Sequence, residues 1–507
     1  MDRLSMLRGQ FDVAVIGGGI IGAGIARDAA RRGLRVALVE KADYGSGTTA
    51  GSTRLIHGGL RYLEMLDFRL VRMDLREREV LLRLARHLVR PLRFILPFYG
   101  EGIVHRWKMR AGLALYDLLS FDKSLPSRGF FEAGRLAEME PELRREGLKG
   151  GASYYDAQVV SPERLALENV LDAREHGAVA LNYAEVTDAL VEGGRMVGVR
   201  VRDVLEGGEC ELHARVTVNA SGPWLDRVAA RLGPHPRPLL RTTKGVHLAC
   251  DPVNRNAFAL RSPLDGRLFF VIPWLGYSWV GTTDTDFEED PSRAVATPED
   301  IEYLVRSASH YFPALRRVRI HWTNAGVRAL VRKPGSASSV SRQHRILADR
   351  AGLISVVGGK ITGYRAIAEQ VTDRVCRLLG HRRRSDTAEA PLPGGREQCG
   401  EGYLESVYGC RAREVRELAA SDPELGSLLH PEYPDIAAQV VYSVRHEQCA
   451  RLADFLLRRS LLGFRPDQGV RAVTAVAEWM ARELGWSAAR KQEEIRAYEQ
   501  RVREVTP

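Results

Sequence analysis

The chain has 507 residues, 27% of them charged and 45% hydrophobic, the make-up of an ordinary globular protein long enough for two or three domains. That composition, with no low-complexity tract and no fixed-period repeat, excludes global disorder, a small disulfide scaffold and a solenoid. The net charge of +10 favours anionic partners (nucleic acid, anionic lipid or anionic substrate) without choosing among them, and it rests on arginine, since only eight of the 74 basic residues are lysine.

The first residues lack the apolar run of a signal peptide, and no window of about 18 uncharged apolar residues occurs, so a chain that neither crosses a membrane nor is secreted is expected. Cys210, Cys250, Cys376, Cys399, Cys410 and Cys449 are scattered without metal-site spacing, which predicts reduced thiols in a cytoplasmic protein and no metal. Residues 11–17 read as a short buried strand, 20–32 as a helix with small residues on one face and 35–40 as the next strand, a βαβ unit opening a doubly wound α/β domain. Residues 65–120 read as helical and basic. The stretch 151–250 mixes helix with strands such as 211–218, and 267–283 alternates aromatic and β-branched residues as an antiparallel sheet does. A buried strand at 354–357 runs through Gly358-Gly359 into a helix over about 361–379. Residues 381–400, with Pro-Leu-Pro-Gly-Gly, read as a linker, and the remainder, 401–507, as an amphipathic helical domain.

Gly17, Gly19 and Gly22 form G-x-G-x-x-G directly after the first strand, where they permit a tight turn, close approach to a pyrophosphate and close helix packing. Ala26, Ala30 and Gly33 continue the small-residue face, and Glu40 ends the second strand, where a carboxylate accepts ribose hydroxyls and repels a 2′-phosphate. NADP is disfavoured; NAD and FAD remain equal at this point. The next block decides for FAD: Thr48, Thr49, Ser52 and Arg54 lie in a donor-rich polar loop, followed by Leu-Ile-His57-Gly-Gly-Leu-Arg61-Tyr62, and a flavin needs donors along its phosphates and ring.

Residues 52–64 are similar to the signature of the FAD-dependent glycerol-3-phosphate dehydrogenase family. The resemblance continues through Asn219-Ala220-Ser221-Gly222-Pro223-Trp224, Lys244-Gly245-Val246-His247, Gly281-Thr282-Thr283-Asp284, Gly326-Val327-Arg328 and Gly358-Gly359-Lys360-Ile361-Thr362. It spans most of 11–380; Arg54 stands where lysine is common, Ser221 replaces the usual threonine, and 332–340 match nothing. The resemblance implies FAD-binding parts at about 11–64, 151–243 and 321–380, and substrate or cap parts at about 65–150 and 244–320. It implies oxidation of sn-glycerol 3-phosphate to dihydroxyacetone phosphate by hydride transfer to the flavin. Arg61, Arg328 and Lys360 would stand in the substrate pocket with Tyr62, His247 and Thr362 beside them, and Gly222, Gly359, Lys360 and His57 at the cofactor.

The residue types suit that task. A secondary alcohol needs a hydride acceptor, a base for its proton and a cationic seat for its phosphate, and arginine offers a planar fork of donors to a phosphate. His247 is the expected proton acceptor, with a purely structural histidine as its rival reading; His57, in the flavin-adjacent loop, reads as a cofactor contact. The resemblance also implies membrane quinone as electron acceptor and peripheral attachment to the inner face of the cell membrane. Residues 69–110 carry eleven basic and four acidic residues with interleaved leucines, Phe94, Phe98 and Trp107, as a surface attracted to anionic lipid does. The competing readings are an oxidase of the same substrate that yields hydrogen peroxide, another amine- or hydroxyacid-oxidising flavoenzyme, and a flavin sensor without turnover. A nucleic-acid partner finds no motif, and a homodimer is left open.

Overall fold

A computed structural model describes residues 3–507 apart from 101, 234–237, 333–343 and 350–351, and apart from the side chains of 61, 64 and 103–106. Its first sheet, of eight strands, is the doubly wound core. Gln10–Ile16 pairs in parallel with Val36–Val39 on one side and with Glu209–Asn219 on the other. Val179–Leu181 and Leu353–Val357 extend it in parallel, and Arg345–Ala348 closes one edge antiparallel. Residues 13–16, Val36–Val39 and Leu353–Val357 are buried throughout and so are nearly all valine, isoleucine, leucine and alanine. The helix Ile20–Arg31 packs between Pro162–Glu175 and Tyr364–Leu379, and its small-residue face lets them approach: a Cβ on Gly24 would lie 2.9 Å from the Tyr364 ring.

The second sheet, of ten strands, is largely antiparallel and carries the remaining wall of the site. Leu240–Cys250 pairs along its length with Ile320–Val331 and with Tyr277–Gly281, while Leu268–Trp274, Ala257–Arg261, Val89–Phe98 and Gly150–Val159 continue the sheet. This corrects the all-helical reading of 65–120. Between the helices Phe68–Leu84 and Ile103–Leu119 lies the strand Val89–Phe98, held by ladder bonds to Gly150–Val159 and to Ala257–Arg261.

The residues read as a linker are a packed strap. Leu392 is buried and its N–H donates to Leu84 O at 3.1 Å, Gly394 N–H donates to Glu168 at 2.8 Å, and Ala390 O accepts from buried Arg27 at 2.7 Å. Beyond it the helices Tyr403–Tyr408, Ala412–Ser421, Ala437–Glu447, Val473–Leu484 and Ala488–Val505 enclose their own apolar cores. Buried charge ties this helical domain to the first sheet. Arg458 and Arg459 both pair with Asp43, three residues after Glu40; Arg164 pairs with Glu447 at 2.6 Å, and Tyr44 donates to Gln448 at 2.7 Å. The two guanidinium groups push the Asp43 carboxyl down to about 2 against the opposing effect of its burial.

Candidate functional site

The two sheets meet along a cleft of about 630 Å³. Its first wall is the glycine turn. The twelve-residue helix Ile20–Arg31 starts at Gly19 without a side-chain cap, so its N-terminal N–H groups and dipole suit an anion. A Cβ on Gly22 would lie 1.8 Å from Gly17 O, and one on Gly17, whose φ is +106°, 2.8 Å from Ala220 O. Gly17 and Gly19 line the cleft, and Gly22 sits behind them as the packing glycine. Glu40 accepts N–H bonds from Gly18 at 2.7 Å and Ala42 at 2.9 Å, and burial raises its carboxyl pKa. A carboxylate has lone pairs beyond those two bonds, so Glu40 can still receive a ribose hydroxyl.

The polar loop forms the next wall. Thr48, Thr49 and Ser52 all line the cleft; Thr49 Oγ1 accepts the Ile20 N–H at 3.1 Å and Thr48 donates to Val327 O at 2.5 Å, which fixes the loop between helix and second sheet. Gly51 and Gly326 touch there, a Cβ on Gly51 falling 2.4 Å from Gly326 Cα. Gly222 and Gly359, both at positive φ, complete the backbone of the cleft. The residues present therefore fit a dinucleotide with its pyrophosphate at the glycine turn.

Two cations mark the chemistry. Arg328 reaches the cleft from Ile320–Val331 and is held on Asp284 at 3.1 Å, Thr282 Oγ1 at 2.6 Å and Thr283 O at 3.0 Å. Lys360, after the Gly358-Gly359 turn, pairs with Asp74 at 2.6 Å and lies 3.8 Å over the Tyr62 ring. Asp74 is fully buried, and desolvation raises its pKa to about 6 despite the lysine. Thr362 Oγ1 accepts the His57 N–H at 3.1 Å, and both residues line the cleft with Tyr62.

Three expected site residues behave differently. Arg54 does not line the cleft: it is fully buried, paired with Glu163 at 2.9 Å and stacked over Trp274 at 4.3 Å, because the chain turns at Arg54 through a φ of +61°. His247 also lies behind the wall. It is buried, stacked on Trp279 at 5.0 Å, and shares a hydrogen bond of 3.0 Å between Nε2 and Thr53 Oγ1, and it is Thr53 that lines the cleft. Burial, reinforced by the Arg328 and Arg54 charges, holds the imidazole pKa well below the usual histidine value. Arg61 opens the short helix Arg61–Glu64, but its side chain is outside the described residues, as are 333–340 of the unmatched loop.

Asp74, Asp284, Thr53 and Arg501 were not singled out from the sequence. Asp284 sits in a matched motif beside Thr282, and Asp74 falls between Val71 and Leu75 on the buried face of its helix, where an acid without a partner is costly. Those were readable signals. Thr53 stands in the 52–64 signature as well, but its place beside His247, like the place of Arg501 at the cleft, depends on contacts between distant segments.

Residues 12–373 match the family described as FAD dependent oxidoreductase, and residues 385–491 match the C-terminal domain of alpha-glycerophosphate oxidase. The chain is 38% identical to a glycerol-3-phosphate dehydrogenase of Synechocystis sp., over 96% of this chain and 95% of the relative. It is 33% identical to the aerobic glycerol-3-phosphate dehydrogenase of Bacillus subtilis, over 97% and 94% of the two chains. The crystal structure of the glycerol-3-phosphate dehydrogenase from Bacillus halodurans complexed with FAD superposes with a TM-score of 0.81 at 30% identity, covering 99% of this chain and 96% of that one.

Proposed function

We propose, for a chain that belongs to the FAD-dependent glycerol-3-phosphate dehydrogenase family, that it oxidises sn-glycerol 3-phosphate to dihydroxyacetone phosphate and passes the electrons to membrane quinone. The observation that carries the substrate assignment is the pair Arg328 and Lys360, two cations on the wall of the cleft that also holds the glycine turn. When bound there, FAD supplies the acceptor for the hydride on the substrate's C2. Asp284 and Asp74 hold the two cations in place, so an incoming phosphate meets charges that are already oriented. The family resemblance implies Arg61, in the 52–64 signature, as a third.

The hydroxyl proton takes a two-step route. Thr53 Oγ1 receives it while passing its own proton to His247 Nε2. At physiological pH the imidazole is neutral and its lone pair can take the Thr53 proton, while the burial and the Arg328 and Arg54 charges that depress its pKa also make it a weak base. This replaces direct abstraction by His247, from which Thr53 separates the cleft.

Quinone as acceptor is supported by an exposed apolar and basic face on and beside the helices Phe68–Leu84 and Ile103–Leu119. Among the described residues no helix is long and apolar enough to cross a membrane, so attachment would be through that face. The oxidase reading draws support from the C-terminal domain, whose matching family is named for a glycerophosphate oxidase. One experiment separates them. Under anaerobic conditions sn-glycerol 3-phosphate should bleach the bound flavin, and adding a ubiquinone or menaquinone analogue should restore the colour. In air, peroxide should form at well below one equivalent per product. Unbleached flavin defeats the substrate assignment, and stoichiometric peroxide defeats the quinone.

A further inference from the structure

Among the described residues, six cationic side chains line the cleft: Lys41, Arg227, Arg231, Arg328, Lys360 and Arg501. Four are ion-paired, Arg227 with Asp290 at 3.0 Å, Arg231 with Glu185 at 2.8 Å, Arg328 with Asp284 at 3.1 Å and Lys360 with Asp74 at 2.6 Å. Lys41 lies 4.0 Å over the Trp224 ring. Arg501 is different in two ways. It comes from the helical domain, on Ala488–Val505, and it has no hydrogen-bond or ion-pair partner among the described residues.

Its helix packs against the strand Ile320–Val331. One helical turn further on, Val505 O accepts the Thr323 hydroxyl at 3.0 Å, and the adjacent Asn324 donates to Ala50 O at 3.0 Å. Arg501 thus stands at the seam between Ile320–Val331 and the polar loop that includes Thr48, Thr49 and Ser52. Desolvation by the surrounding protein and the Arg458 charge lower its pKa below the ordinary arginine value, against Tyr498 and Glu504 on its own helix. Arg501 is exposed at the cleft wall, so its guanidinium is open to solvent there and can meet an anion in the cleft. The carboxylates that line the cleft are engaged elsewhere: Glu40 accepts from Gly18 and Ala42, Glu185 serves Arg202 and Arg231, and Asp290 serves Arg227 and Trp224.

We propose that Arg501 is an anion-binding residue of the site, through which the helical domain donates a guanidinium to phosphoryl oxygens in the cleft. The inference rests on the reading of the cleft as the FAD and substrate site. The phosphoryl group is either the cofactor's pyrophosphate or the substrate's phosphate monoester, and both present the paired oxygens that a guanidinium fork matches. The helical domain is then part of the binding site as well as a neighbour of it, since the same domain also fixes Asp43 through Arg458 and Arg459.

The test compares holoenzyme with Arg501→Gln, Arg501→Lys and, as a control on the same helix that does not line the cleft, Arg503→Gln. Flavin release on dilution, read by free-flavin fluorescence, gives FAD affinity, and anaerobic bleaching gives the sn-glycerol 3-phosphate concentration for half-reduction. Arg501→Gln should weaken one of the two by about tenfold, with lysine recovering most of it and Arg503→Gln unchanged. A change confined to flavin release assigns the pyrophosphate, and a change confined to bleaching assigns the substrate phosphate. No change in either overturns the inference. So does an equal loss in both that lysine fails to recover and that accompanies a fall in Tm, which would make Arg501 a packing residue. Wild-type protein that holds no flavin, or flavin that the substrate does not bleach, defeats the underlying reading instead and is seen before any variant is compared.

Discussion

At the residue scale the expected catalytic histidine and the residue that faces the cleft are not the same. His247 is locked by Trp279 on one side and Thr53 on the other, so its ring cannot turn into the site without breaking a stacked contact and a hydrogen bond. If the two act as one relay, His247→Gln and Thr53→Val should each lower turnover by about a hundredfold with little change in substrate half-saturation, and the double variant should be no worse than either. Multiplying losses would sink the relay. The pH dependence has a defined sign. The folded pKa of His247 lies below its unfolded value near 6.5, so its neutral form persists as pH falls through 6.5, and turnover should show no inflection there from loss of the base. The stability the neutral ring provides is fully present above that pH and is lost as pH falls below it. The sequence made His247 visible as a candidate through its motif, but not its burial, because Trp279 and Thr53 reach it from strands and loops far along the chain.

At the element scale the loop after the second strand is held from outside its own domain. Asp43 is fully buried, accepts from Arg458 and Arg459, and also takes an amide N–H of Asn182 at 3.0 Å. Removing one guanidinium leaves a buried carboxylate undercompensated, so Arg459→Met should cost about 3–5 kcal/mol of stability, read as a lower urea midpoint. A loss under about 1 kcal/mol would show that Arg458 alone neutralises Asp43. The βαβ unit and its glycine turn were legible in the sequence because their pattern is local: apolar strands, small residues on one helix face, glycine where a Cβ would strike Ala220 or Gly17. Val89–Phe98 was not. Two arginines and two prolines interrupt its apolar residues, and its strand conformation is fixed by Gly150–Val159, more than fifty residues further on. The strap through Leu392 failed for the same reason, since proline and glycine read as a loop whether or not the loop is packed.

At the scale of the whole molecule the charge of +10 acquires a location only with the fold. Arg78, counted among the basic residues of 69–110, is buried on Asp156 at 2.7 Å and contributes nothing to the surface. The segment exposes Arg69, Arg76, Arg83, Arg86, Arg90, Lys108 and Arg110, and large apolar side chains on and beside it are exposed too. Leu66 is 72% exposed, Trp107 64%, Leu118 68% and Phe121 75%, and they lie on or beside the helices Phe68–Leu84 and Ile103–Leu119. Cations flank them: Arg72 lies 4.4 Å over Phe121 and Arg110 5.5 Å over Trp107. Large apolar side chains of this kind, ringed by arginine, match the interface of an anionic bilayer better than bulk water. Burying one aromatic is worth on the order of 2–3 kcal/mol. The pair Trp107→Ser and Phe121→Ser should therefore reduce co-sedimentation with phosphatidylglycerol vesicles at low salt by at least about tenfold, while anaerobic bleaching by substrate stays as in the wild type. High salt should weaken binding of the wild type, because the flanking arginines act through screened charge. Wild-type protein that ignores anionic vesicles at low salt would remove the membrane from the proposal, and with it the physical reason to prefer quinone over oxygen. Binding that survives both substitutions would move the contact to another face of the molecule.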